Sequence, residues 1–187
     1  MDSLLITLDQ DKEPFIKELT KDEIINLTGE SGSGKSYYTN QFMNNSNYII
    51  VDTDEVFSRF DNSSGINREL GLMFRNKYRN DIPNIITDFD ICYKDILDYF
   101  KDQNKTIVID SAQFRNVKDL SIIKGKLIVM RTCVNTCYER CIKRWNDNHP
   151  NASDEEMEKY ATKKKQIYNW YHSINDFLMK LYHYKAG

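Results

Sequence analysis

Glycine and proline are scarce in this chain, at seven and three among 187 residues. Both counts fall well below average usage, which fits long ordered elements joined by short loops. No internal repeat, low-complexity tract or linker rich in Gly, Ser or Pro marks a domain boundary, so one continuous domain over 1–187 is expected. No apolar run approaches the roughly 20 residues that span a bilayer, and Asp2 and Asp9 stand where a leader would be basic. A cytoplasmic protein is expected. Positive charge is not in excess either: 26 Lys and Arg against 28 Asp and Glu give a formal charge of −2. That balance argues against a globally basic surface holding nucleic acid by counterion release and leaves room only for a local basic groove. Four cysteines are too few for the disulfide framework of a small secreted domain. Cys133, Cys137 and Cys141 recur every four residues, on one face if helical, without the close C-x-x-C pairing that thiolate metal sites favour. A buried, reduced apolar stripe is expected there.

What is present is an alternation of short β-rich apolar runs with longer helical stretches. It predicts parallel strands joined by crossover helices, an α/β fold of three layers around a mostly parallel sheet. Strands are expected over Ile24–Thr28, Tyr48–Asp52, Thr106–Asp110 and Lys126–Thr132, with Leu4–Leu8 as an additional edge strand completing five. Each run is continuous rather than alternating, as strands covered on both faces are, and ligands bind at the C-terminal ends of such strands. Helices are expected over Gly34–Met43, Ile66–Tyr78, Thr87–Lys101 (apolar face Ile91, Ile96, Leu97, Tyr99, Phe100) and Asn135–Trp145. A last helix should run from Asp154 to the end, opened by a capping box of Ser153 and Glu156.

The first strand after the N-terminal segment runs directly into Gly29-Glu30-Ser31-Gly32-Ser33-Gly34-Lys35-Ser36, a G-x-x-x-x-G-K-S pattern that opens a helix. The glycines let the backbone curl so that N–H groups face inward, and the helix start adds partial positive charge. Such a loop is built for a polyphosphate. Lys35 is expected to neutralise the β- and γ-phosphates and the Ser36 hydroxyl to meet Mg²⁺, with Gly29 through Ser36, and Tyr37 beside them, contacting the nucleotide.

Carboxylates follow at later strand ends. Asp52 and Asp54 share a side of the chain if the segment is extended; Asp52 is expected on the metal side and Asp54 as the base that takes the acceptor's proton. Asp110 ends an apolar run and is a further metal-side candidate, and Arg115 suits either a phosphate or a surface salt bridge. Arg140 and Arg144, spaced i, i+4, would project from one helix face and clamp a transferring phosphoryl. Arg59, Arg68, Arg75 and Arg79, mixed with Phe60, Phe74 and Tyr78, lie where an acceptor would be held.

These residues resemble the nucleoside-monophosphate-kinase-like branch of P-loop kinases over most of Ile24 to Trp145. Gly29 to Ser36 looks like that family's Walker A motif. Val51-Asp52-Thr53-Asp54 is similar to the D-x-D of shikimate kinases and to the strand-end acid of polynucleotide-kinase-like enzymes, which implies substrate contact by Asp54. Glu139-Arg140 through Arg144 looks like the arginine-bearing lid of this branch and of deoxynucleoside kinases, and Ile109 to Arg115 is similar to the third-strand segment of polynucleotide-kinase-like proteins. The resemblance implies a P-loop NTPase fold with an acceptor-binding insertion at about 56–100 and a helical lid at about 135–153. The expected activity is transfer of the γ-phosphoryl of ATP, with Mg²⁺, to a small-molecule acceptor such as a nucleoside or nucleotide. A 5′-hydroxyl polynucleotide kinase and an ATP-binding regulatory or partner-binding module are the alternatives; oligomeric state is not legible.

Overall fold

Continuous apolar runs of five or six residues, too short for helices and bounded by polar residues, fold as β1 (Ser3–Leu8), β2 (Ile24–Gly29), β3 (Tyr48–Asp52), β4 (Thr106–Asp110) and β5 (Lys126–Arg131). The computed structural model describes residues 1–8, 23–57 and 65–186. The strands form one sheet in the order β1-β5-β2-β4-β3, and every pairing is parallel. The N-terminal segment does occupy an edge, beside β5, and the loop-bearing β2 sits at the centre.

Side chains leave the sheet alternately, and both faces are covered. Ile49, Val51, Ile107, Ile109, Leu127 and Val129 enter one core, while Ile25, Leu27, Val108, Ile128 and Met130 enter another. Each such side chain, fully buried, contributes about 1.5–3 kcal/mol. Helix α1 (Lys35–Thr39) and the turns after it cover the second face through Tyr38 and Phe42. The first face is covered by α3 (Gly65–Tyr78), α4 (Ile82–Thr87), α5 (Phe89–Phe100) and α8 (Ile167–Ala186), through Phe74, Ile85, Tyr93 and Phe177 among others. The result is the three-layer α/β/α arrangement. A four-residue helix, α2 (Thr53–Val56), follows β3, and α6 (Val134–Asn148) and α7 (Asp154–Lys164) follow β5. No helix among the described residues is long and apolar enough to cross a membrane.

Several expected boundaries shift. Helix α1 stops at Thr39 instead of Met43, because Gln41, Phe42 and Asn45 donate to carbonyls three residues back and the Asn-rich segment tightens into turns. The helix expected over Thr87–Lys101 is α5, starting at Phe89 because Asp88 breaks the helical run between it and α4, and its buried face differs. Phe89, Cys92, Tyr93, Ile96 and Phe100 are buried, while Ile91 and Tyr99 are 39% and 40% exposed. Edge-on contacts of Phe89 and Tyr93 with Phe114, at 4.9 and 5.6 Å between ring centres, fix that rotation. The C-terminal helix is interrupted at Lys165–Gln166, and the Ser153–Glu156 capping box is present at its start. Of the cysteine stripe, Cys137 and Cys141 are buried; Cys133 is exposed because it precedes α6 rather than lying within it.

Candidate functional site

Between β2 and α1 the chain curls around its own amides. Gly32 and Gly34 adopt φ of 81° and 104°, in the left-handed region that favours glycine. At Gly32 the need is double, since a Cβ there would lie 2.7 Å from the carbonyl oxygen of Cys137 on α6. The Ser33 N–H donates to Glu30 O at 3.0 Å, and the Thr132 hydroxyl donates to Ser33 O at 3.1 Å, which ties the loop to the end of β5. Lys35 Nζ donates to the carbonyls of Gly29 and Glu30, each at 2.9 Å. The ammonium thus rests on the loop that a phosphate would enter.

Strand register brings the acids together. Asp52 pairs with Asp110 at the C-terminal ends of neighbouring parallel strands, whose spacing is about 4.8 Å. Residues 52 to 54 are not extended as expected: Asp52 is the N-cap of α2, and its Oδ1 accepts from the N–H groups of Asp54 (3.0 Å) and Glu55 (3.4 Å). Both carboxylates nevertheless face the same cavity. Burial raises the pKa of Asp52, and Asp54 adds to the rise. Asp110, 7% exposed, has its pKa pushed up to about 7 by burial, against the pull of Lys35 and with Asp52 and Asp54 adding.

Helix α6 supplies the opposite wall. Arg140 Nη1 donates to Gly32 O at 3.1 Å and Arg144 Nη2 to Ser31 Oγ at 3.3 Å, so the i, i+4 pair projects from one face onto the glycine loop. The open cleft between them measures about 580 Å³ and is lined by Ser31, Gly32, Gly34, Lys35, Ser36, Tyr37, Asp52, Asp54, Asp110, Ala112, Arg140 and Arg144. Three cations and three carboxylates thus face one space of ordinary ligand-site size. A second cavity of about 410 Å³ adjoins it along Ser36, Asp52 and Asp110.

The Glu30 side chain points away from the space the loop encloses. It is 3% exposed and turns inward, where Oε1 lies 3.8 Å from Arg115 Nη1. Burial raises the carboxyl pKa although Arg115 pulls it down, and burial lowers that of the guanidinium. Arg115, with its Cζ 5.5 Å from the Trp170 ring centre, therefore forms a buried ion pair under the loop, neither a phosphate contact nor a surface bridge. In the segment expected to hold an acceptor, Phe74 is core and the Tyr78 hydroxyl donates to Asp95. Arg68, Arg75 and Arg79 line neither cavity; Arg59 and Phe60 lie outside the described residues. Asn67 is the residue sequence inspection misses. It accepts from the Asp52 N–H at 3.0 Å and donates to Glu55 Oε2 at 2.5 Å, and no motif announces an asparagine that acts through a backbone amide.

No protein-family model matches this chain, and no curated protein does. Among solved structures, a chain from "Structure of the Pnkp1/Rnl/Hen1 RNA repair complex" aligns with a TM-score of 0.42 at 17% identity, over 78% of this chain and 45% of its own length. This chain thus spans less than half of that neighbour. A likeness of that degree carries no inference about activity.

The donor set also bears on metal binding. Among the described residues no group of three or more His, Cys, Asp or Glu is placed to cage an ion. Mg²⁺ requires no such cage: it keeps several waters and takes one or two carboxylates together with ligand phosphates. The Ser36 hydroxyl with Asp52 and Asp110, meeting where the two cavities adjoin, fits an ion that arrives with a nucleotide.

Proposed function

We propose that this chain is an ATP-dependent phosphotransferase that moves the γ-phosphoryl of ATP to a hydroxyl group of a small acceptor. One observation carries this reading: Arg140 and Arg144, more than a hundred residues downstream, are seated on the same loop that presents Lys35, across a cavity from Asp52, Asp54 and Asp110. A binding module needs the loop and its lysine. Transfer additionally needs cations that meet charge developing on the phosphoryl and a carboxylate that can take a proton, and both line the same space.

The roles follow from placement. The loop amides and the start of α1 cradle the phosphates, and Lys35 Nζ exchanges its two carbonyl partners for phosphate oxygens. Ser36, Asp52 and Asp110 would hold Mg²⁺, which when bound neutralises the β- and γ-phosphate oxygens. Arg140 and Arg144 release Gly32 O and Ser31 Oγ to engage the transferring group, so that residues 135–153, most of them in α6, act as the lid. Asp54 is exposed at the first turn of α2 and faces the cavity, within reach of a hydroxyl arriving from solvent; Asp110 is too buried for that task. Asp54 is therefore the base. The unit carrying this chemistry is the single domain 1–187.

The test incubates the protein with γ-labelled ATP and Mg²⁺ against pools of nucleosides, nucleotides, sugars and 5′-hydroxyl oligonucleotides. A labelled acceptor that disappears with Lys35→Ala supports the reading. ATP binding with no labelled product from any pool contradicts it.

A further inference from the structure

The second cavity shares Ser36, Asp52 and Asp110 with the nucleotide cavity, but its other walls differ in character. Met43, Tyr48, Ile50 and Ile66 give it apolar lining, with the Tyr48 ring braced on Phe42 at 4.5 Å between centres. Its polar lining includes Glu55 and Asn67, held to each other and to the end of β3 by the two hydrogen bonds of the Asn67 amide. Supporting bonds of this kind preorganise a binding wall. Asp110 lines both cavities.

The charges separate the two spaces. The nucleotide cavity presents Lys35, Arg140 and Arg144; the second presents Asp52, Glu55 and Asp110, and no Lys or Arg among the described residues. Asp52 and Asp110 lie on the shared wall, where the phosphates' counter-cation would screen them. Glu55 lies away from that wall, accepts only the neutral Asn67 amide among the described residues, and so presents its charge to an anion. A phosphate or carboxylate on a ligand would meet like charge here, which is how a site rejects a partner of the wrong charge. Apolar side chains, an aromatic ring among them, together with an amide and a carboxylate suit a ring with polar edges.

We propose that this second cavity holds the phosphoryl acceptor, and that the acceptor is an uncharged, ring-bearing hydroxyl compound of nucleoside size and chemistry rather than a nucleotide. The inference rests on the phosphotransferase reading above. The acceptor's hydroxyl crosses the shared wall, its oxygen forms the new bond to the γ-phosphorus, and its proton passes to the Asp54 carboxylate. The bond from that phosphorus to the bridging oxygen breaks, and ADP leaves with the electron pair.

The test is calorimetric binding of adenosine and cytidine, each against its 5′-monophosphate, to the full chain. A saturating non-hydrolysable ATP analogue and Mg²⁺ keep the glycine loop occupied. At least one nucleoside is expected to bind tenfold or more tightly than its monophosphate, with that ratio falling at least tenfold in Glu55→Lys and partway in Glu55→Gln. The proposal is overturned if neither nucleoside binds, if a monophosphate binds as tightly, if the ratio ignores both variants, or if a 5′-hydroxyl oligonucleotide binds tenfold tighter than any nucleoside. Binding of the analogue is measured first, and its absence contradicts the ATP reading on its own. In that case a nucleoside affinity that falls at least fivefold in Tyr48→Ala still supports the second cavity as a nucleoside site, and an unchanged affinity overturns it.

Discussion

Replacing Asp110 with Asn should make the protein more stable at pH 8 and less able to bind Mg²⁺ and ATP. Burial raises the Asp110 pKa from 3.8 to about 7, so between those values the folded chain holds a proton that the unfolded chain has lost. Its contribution to stability is therefore most favourable below the unfolded value and is lost as pH rises toward 7, beyond which the whole cost persists. About three pH units at 1.36 kcal/mol each give on the order of 4 kcal/mol. For a chain of 187 residues, an unfolding entropy of roughly 0.4 kcal/mol/K makes that a shift of roughly 10 °C. Asn is close to the protonated acid in shape and carries no charge at any of these pH values. Wild type and Asp110→Asn should thus match near pH 4, diverge steadily to about pH 7 and stay apart by a constant amount to pH 8, the variant above, in urea unfolding followed by circular dichroism with EDTA present. Asp52 and Glu30, whose pKa values burial also raises, contribute to both curves, so the difference between the curves is the quantity to read. Parallel curves would refute the claim that the fold holds Asp110 against ionisation. A gain in stability coupled to weaker Mg²⁺-dependent ATP binding is the signature of a group retained for its chemistry.

Other perturbations probe separate parts of the site. Gly32→Ala forces a side chain into a φ of 81° and toward Cys137 O at 2.7 Å; a loss of about 1–3 kcal/mol of stability, with weaker ATP binding, is expected in thermal unfolding and calorimetry. Ser153→Ala removes the cap of α7, whose Oγ accepts from Glu156 N at 3.1 Å; thermal unfolding should drop by about 2–4 °C with ATP affinity unchanged. ATP with Mg²⁺ at a hundredfold excess over Kd should add about 2.7 kcal/mol to stability, and EDTA should remove most of the thermal shift.

Much of the fold was legible because its signals are local. Four apolar runs gave strands within a residue of their bounds, and the polar residue closing each run marked the sheet edge where the cavity lies. Lys35, Ser36, Asp52, Asp54, Asp110, Arg140 and Arg144, expected from spacing, all reach one space. What the sequence hid depends on partners distant along the chain. The rotation of α5 is set by Phe114, and the inward turn of Glu30 by Arg115. Asn67 acts through a backbone amide fifteen positions away. The grouping of Asp52 with Asp54 was expected from an extended chain, whereas a capping turn produces it. A shared cavity can arise from either geometry, and only the packed structure distinguishes them.

The central claim is that the glycine loop, Lys35 and the arginine pair form a triphosphate site, and calorimetry of ATP against AMP tests it most directly. With Mg²⁺ present, ATP should bind at least a hundredfold more tightly than AMP. Lys35→Ala and the double variant Arg140→Ala/Arg144→Ala should each erase at least tenfold of that preference without altering the far-ultraviolet circular dichroism. Equal affinity for ATP and AMP, or a preference that survives both variants, would contradict the assignment of this cavity to a nucleoside triphosphate.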